Sequence, residues 1–252
     1  MTSVSNAAVG AFLAGNAAAK ARHGMNEAIA RLSTGVRSMY GGDAAGASVA
    51  HTLRADGRSA LMAARNVEDG ISFLQAGESA LLEIAALNTR LRELAVQDLN
   101  AAFLDANQEA AITAEETAIA AAANAIDTAT LNDTALLTAT IAFVRDMDGS
   151  TTSFGAAADL TIASGVTAVD TQMGKISKAL GSMAAGISAL KGHQGTLYAL
   201  SANAEAAAAR IQDTDFARSS ANLAKFSILN QSAMAMVSQA NQANAAVLAV
   251  LQ

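Results

Sequence analysis

From Met173 to Ile211 apolar residues recur at alternating steps of three and four. Met173, Ile176, Leu180, Met183, Ile187, Leu190, Leu197, Ala204, Ala208 and Ile211 hold the line, with Gln194 and Ser201 as its polar members. A seam kept for roughly five heptads predicts a long coiled-coil helix, roughly 58 Å at 1.5 Å per residue. The N-terminal run steps the same way through Val4, Ala8, Ala11, Gly15, Ala18, Arg22, Met25, Ile29 and Leu32, with Arg22 its one charged member. Gly35, Gly41 and Gly42 then break the pattern, so Ser33 to Gly46 reads as a loop, with Asp43 as N-cap of the second helix. That helix runs through Leu53, Ala60, Val67, Ile71, Leu74, Leu81, Ile84, Leu91 and Leu94. A short break at Asp98 to Phe103 precedes a third helix with Leu104, Ile112, Ile119 and Ile126 on one side. Between about 131 and 169 Thr, Ser and β-branched residues take over, and "MDGS" separates two strand-like runs, which predicts a β-hairpin.

The last helix carries two adjacent stripes. One is Leu223, Phe226, Asn230, Ala233, Val237, Ala240, Asn244, Val247 and Leu251; the other includes Leu229, Met236, Ala240, Ala243, Val247 and Val250. A helix apolar over more than half its circumference needs neighbours on several sides. A two-helix hairpin within one chain would leave the second stripe bare, so burial among other chains is the favoured reading.

Charge sharpens this picture. Neither Thr2–Ala19 nor Phe226–Gln252 contains Lys, Arg, Asp, Glu or His. The closing stretch is too rich in Asn, Gln and Ser to span a bilayer. The opening stretch has its first positive charge, Lys20, behind the apolar part, the reverse of a secretory signal. Net charge is −6, which argues against a phosphate-backbone partner, and no membrane partner is expected. There is no Pro, as suits long uninterrupted helices, and no Cys, so no disulfide or thiolate site.

Candidate chemistry is thin. His23, His51 and His193 share no ligand spacing. "GGDAAGAS" spaces Gly41 and Gly46 as a phosphate loop would, but lacks the Lys that such a loop carries. Adjacent Glu115 and Glu116 point to different sides of a helix and make a poor acid/base pair. No cofactor, metal or catalytic set is expected, and the chain does not read as an enzyme.

Several stretches in order resemble bacterial flagellin: "IARLSTGVRSMYGGDAAGASVA" (29–50), "RNVEDGISFLQAGESALLEI" (65–84), "LRELAVQ" (91–97) and "ARIQDTDFARSSANLAKFSILNQ" onward from Ala209. The resemblance covers about the first 130 and last 80 residues. It implies a mainly α fold, a long helical coiled-coil bundle with a small β-hairpin and paired terminal helices. In domain terms it implies a filament-core domain of 1–33 and 213–252, a connecting loop 34–46, a rod 47–212 with the hairpin near 131–169, and no large outer domain. The implied function is a structural subunit of the extracellular flagellar filament, self-assembling into a helical tube for motility after flagellar type III export. Its partners would be its own copies, an export chaperone, and hook-associated and cap proteins. The implied core contacts are Val4, Ala8, Phe12, Met25, Ile29, Leu32, Leu223, Phe226, Leu229, Ala233, Met236, Val237, Val247 and Leu251. Arg90 and Leu94 fall where many flagellins meet an animal innate immune receptor. Alanines in Ala118–Asp127 replace polar residues there, which favours packing between subunits as their role. Arg31, Arg37, Asp213 and Asp215 are candidate polar contacts between copies, with a solvated surface charge as the alternative for each. A hook–filament junction protein and a non-flagellar coiled-coil scaffold are the alternatives.

Overall fold

The computed structural model describes residues 2–37, 42–138, 140–144, 149–155 and 160–250. Five helices carry the chain: α1 (Thr2–Thr34), α2 (Ala44–Asp98), α3 (Ala106–Asp127), α4 (Val166–Gln212) and α5 (Phe216–Val250). Four short strands lie between α3 and α4: β1 (Thr130–Leu131), β2 (Thr134–Ala135), β3 (Ile141–Val144) and β4 (Thr151–Phe154). The contacts divide the chain into two compact units, one of residues 1–54 and 205–252, the other of residues 55–204.

In the second unit α2 and α4 pack antiparallel. The twelve-position line along α4 is realised: none of its members is exposed, and Ile176, Met183, Ile187, Leu190, Leu197, Ala204 and Ala208 are buried. One core cluster joins Leu81, Ile84 and Leu91 of α2, Ala123 of α3 and Ile176, Ala179 and Met183 of α4 with Leu136, Leu137, Leu160 and Ile162 from the segments between. A second joins Ala60, Ala64, Val67 and Leu74 to Ile187, Leu190 and Leu197. Two glycines set how closely these helices approach. A Cβ on Gly77 would lie 2.7 Å from Met183 Cε, and one on Gly186 would lie 3.1 Å from both Leu74 and Phe154. Asn88 is fully buried in this seam and donates from Nδ2 to the Val169 carbonyl at 3.1 Å. A buried amide bonded across an otherwise apolar seam favours one register, because a slipped pairing would strand it.

The connections arise from local chemistry. Asp105 caps α3 in a reciprocal capping box with Gln108. Asn132 and Asp133 both take positive φ (53° and 60°), which lets β1 turn back on β2 in two residues. The expected hairpin is β3 with β4, antiparallel from Ile141↔Phe154 to Val144↔Thr151. Its turn contains Gly149 at φ 78°, whereas Met147 and Asp148 of "MDGS" lie outside the described residues.

Glu116 of α3 is buried, and its carboxyl pKa is pushed up by desolvation first and by the nearby Asp98 charge second. A carboxyl with a raised folded pKa binds its proton more tightly when folded. Its contribution to stability is therefore constant below the ordinary glutamate pKa. It falls as pH climbs toward the raised folded value, and stays lowered above it. Glu116→Gln is expected to raise the melting temperature slightly at neutral pH and to flatten its dependence on pH in mild acid. Paired thermal melts of both proteins across that range check this. A lower neutral melting temperature in the variant would contradict it.

Candidate functional site

In the first unit α1 and α5 run antiparallel. Gly35 lies beside Thr214, Gly24 beside Phe226, and Arg22 Nη2 meets Met234 Sδ at 4.0 Å. The seam on α1 is built from small residues: Ala18, Ala21, Gly24 and Ala28 are buried, and Ala11, Ala14, Met25 and Leu32 are partly so. On α5 it runs along the first predicted stripe, with Ala233 buried and Leu223, Phe226, Asn230, Val237, Ala240 and Asn244 half-buried. The predicted line on α1 needs correction. Gly15, Arg22 and Ile29 face outward, because the helices approach most closely where side chains are smallest. Gly24 makes this concrete: a Cβ there would sit 2.6 Å from the Phe226 ring.

The polar ends of this pairing are closed within the chain. Gly35, at φ 71°, ends α1 and donates to the Arg31 carbonyl at 2.9 Å. Val36 and Asp213 then form a short antiparallel bridge, in which Arg37 N donates to the Gln212 carbonyl at 2.7 Å and Thr214 N to the Gly35 carbonyl at 2.9 Å. Arg37 Nε donates to the Ile211 carbonyl at 3.1 Å and its Nη2 to Asp43 Oδ2 at 2.9 Å. Asp43 caps α2 as expected, accepting from Gly46 N at 2.8 Å. A side chain on Gly46 would collide with that carboxylate at 2.3 Å. Arg54 reaches Asp213 at 3.3 Å, Asp215 caps α5 by accepting from Arg218 N at 3.0 Å, and Arg31 pairs with Glu27 one turn away. Arg31, Arg37, Asp213 and Asp215, the candidate polar contacts between copies, thus each have a partner within the chain at hydrogen-bond or ion-pair distance.

What the pairing leaves open is apolar. Among the anticipated contact residues, Met25, Leu32, Leu223, Phe226, Ala233 and Val237 turn wholly or partly into the intrachain seam. Phe12 (70 % exposed), Ile29, Leu229 and Met236 (62 % exposed) face outward. The side chains of Val4, Ala8 and Val247, and all of Leu251, lie outside the described residues. Val9, Leu13, Ile228 and Met234 also stand exposed, although no stripe drawn from the sequence included them. Their signal was adjacency: each sits one or two positions from a stripe member, in a stretch of helix with no charge to mark a wet face. The amide oxygens of Asn230 and Asn244 are buried without a hydrogen-bond partner in the chain. A surface of this kind is suited to association. Among the described residues no three His, Asp or Glu side chains gather as a metal site, and no helix is long and apolar enough to cross a membrane.

Arg90 and Leu94 belong to the second unit. Arg90 is exposed and binds Glu115 at 2.7 Å and Glu93 at 3.0 Å, and the hydrogen bond to Glu115 is the main cause of its raised pKa. Leu94 is 2 % exposed. It is packed inside its own subunit and presents no side chain to a partner.

Residues 6–142 match the family described as the bacterial flagellin N-terminal helical region, and residues 166–251 match the bacterial flagellin C-terminal helical region. The chain is 32% identical over 249 residues to a flagellin of Halalkalibacterium halodurans, covering 90% of this chain and 91% of that one. It is 30% identical to the flagellar filament core protein flaB2 of Brachyspira hyodysenteriae, covering 90% and 92%. Against the flagellin of Bacillus subtilis identity is 28%, covering 88% and 91%.

Proposed function

This chain belongs to the bacterial flagellin family, and on that premise we propose how a structural subunit of the extracellular flagellar filament joins its own copies. The terminal helices carry the joint. Residues 1–33 and 213–252 form the filament core, 34–46 the connecting loop and 47–212 the rod. Phe12, Ile29, Leu229 and Met236 supply side chains that only another copy covers; Val4, Ala8, Val247 and Leu251 are assigned to the same contact on their sequence positions alone. Met25, Leu32, Leu223, Phe226, Ala233 and Val237 support that surface from within the α1–α5 pair. Arg90 and Leu94 brace α2 against its neighbours in the rod.

The observation that carries this reading is the apolar face left on α1 and α5, on a background with no charge from Phe226 onward. Isolated in water such a face is unfavourable, and its burial contributes roughly 25 cal/mol per Å². Surfaces that meet without closing generate helical polymers. Before assembly the same tips are the natural handhold for an export chaperone, and at the filament's ends for hook-associated and cap proteins. Electron microscopy of the purified protein at raised salt tests the reading. Long tubes are expected, and short caps or no polymer would overturn it. Hydrogen exchange adds a second check: α1 and α5 should gain protection on polymerisation.

A further inference from the structure

We propose that Phe12 of one copy seats in a socket beside Gly24 and Phe226 of the next copy, so that α1 carries both halves of a non-closing joint. The proposal rests on the reading of the chain as a subunit of a filament of its own copies. It adds which side chain meets which recess.

The recess is a cavity of about 460 Å³ between α1 and α5. Gly24, Phe226 and Leu229 line its apolar floor, and Lys20, His23 and Glu27 stand at its rim. It lies along a stretch of α1 made of small residues, where the Phe226 ring packs so closely over Gly24 that a Cβ there would sit 2.6 Å from it. Its volume lies within the usual range of ligand pockets, roughly 300–1,000 Å³, ample for a phenyl side chain.

Four large apolar residues of α1 stand exposed, and Phe12 is the barest of them at 70 %. It lies twelve residues before Gly24 on the same straight run of helix, roughly 18 Å away at 1.5 Å per residue. No rotamer brings it into its own socket, so a Phe12 seated there comes from another copy. Knob and socket at different levels of one helix give a contact that propagates instead of closing. Val9 and Leu13 share the chargeless flank of Phe12 but are smaller and less bare, at 55 % and 62 %, and charge sets aside Ile29, Ile228 and Met234. The Phe12 flank, Thr2–Ala19, takes nothing ionic into the recess. Ile29 stands between Glu27 and Arg31, Ile228 lies just past Lys225, and Met234 is already met by Arg22. An aromatic pair with Phe226 is the contact expected at the floor.

The chain has no cysteine, so introduced thiols report cleanly. Phe12→Cys/His23→Cys places two thiols roughly 16 Å apart along one helix, beyond the ~7 Å Cα limit for a bridge within a copy. Oxidised filaments of this variant should run as a ladder of cross-linked oligomers on a denaturing gel, and oxidised monomer should not. Filaments mixed from the two single variants should stop at dimers, and neither single variant alone should cross-link. Phe12→Ala should raise the concentration needed for polymerisation about ten-fold or more. Where Phe12→Cys weakens assembly, copolymers with excess wild type keep the readout. A photoreactive benzoylphenylalanine at position 12, which retains the ring, should label the peptides holding His23 or Phe226. Filaments that form normally but give no ladder and no such label overturn the knob-and-socket joint alone. A wild-type chain that never polymerises overturns the filament reading and the joint with it.

Discussion

Leu229→Glu/Met236→Glu is expected to abolish polymerisation while leaving the monomer folded. Both side chains lie on the outward stripe of α5, 46 % and 62 % exposed. In the monomer the new carboxylates stay in water, and surface substitutions of this kind shift stability within about 0.5 kcal/mol. In a filament that buries the stripe, each becomes an unpaired charge in a dry interface. The effective penalty is several kcal/mol per ion, and about 1.4 kcal/mol is a factor of ten in affinity. The concentration needed for assembly should therefore rise by more than about a thousand-fold. Sedimentation of assembled material, beside circular dichroism of the monomer, separates the two effects. Tubes that still form at wild-type concentration would place this stripe on a wet surface, and the α5 face would lose its assigned role.

The same residues show what the sequence could and could not say. Periodicity exposed the α4 seam almost completely, because apolar side chains hold ten of its twelve positions at heptad spacing and pack within the chain. On α1 the same stepping misled. Ile29 points outward, as do Gly15 and Arg22 of the predicted line, and alanines and Gly24 form the seam. A hydrophobic stripe records that a face is buried, not which chain buries it. On α5 the two stripes were legible as two surfaces, because one hairpin partner cannot cover both. The lock between the Gly35–Arg37 and Gln212–Thr214 backbones was not legible, since backbone bonds between positions so far apart in the chain leave no local pattern. Asn132–Asp133 did carry a signal that the composition of the Thr-rich segment obscured. Both residue types tolerate left-handed backbone, and the pair builds a two-residue turn.

Gly24→Val is expected to prise α1 from α5, and Phe226→Ala in the same chain to bring them back together. A Cβ at position 24 would lie 2.6 Å from two atoms of the Phe226 ring, closer than real side chains approach. The ring is rigid and held in the seam, so the helices must separate or the ring must leave. Overpacking of this kind costs about 1–3 kcal/mol. A valine gains roughly a few tenths of a kcal/mol over glycine in helix propensity, too little to offset it. Phe226→Ala alone removes a large ring from the seam and should also destabilise the pair, by up to about 3–5 kcal/mol for a fully buried site and less at this half-buried one. The two losses should not add. With the ring gone the valine enters the vacated space, so the double variant should be more stable than the sum of the singles by about 1 kcal/mol or more, as expected for residues in direct contact. Hydrogen exchange over α1 and α5 in the monomer reads this pair apart from residues 55–204. Additive losses would mean that Gly24 and Phe226 do not meet in solution, and the socket beside them would have no floor.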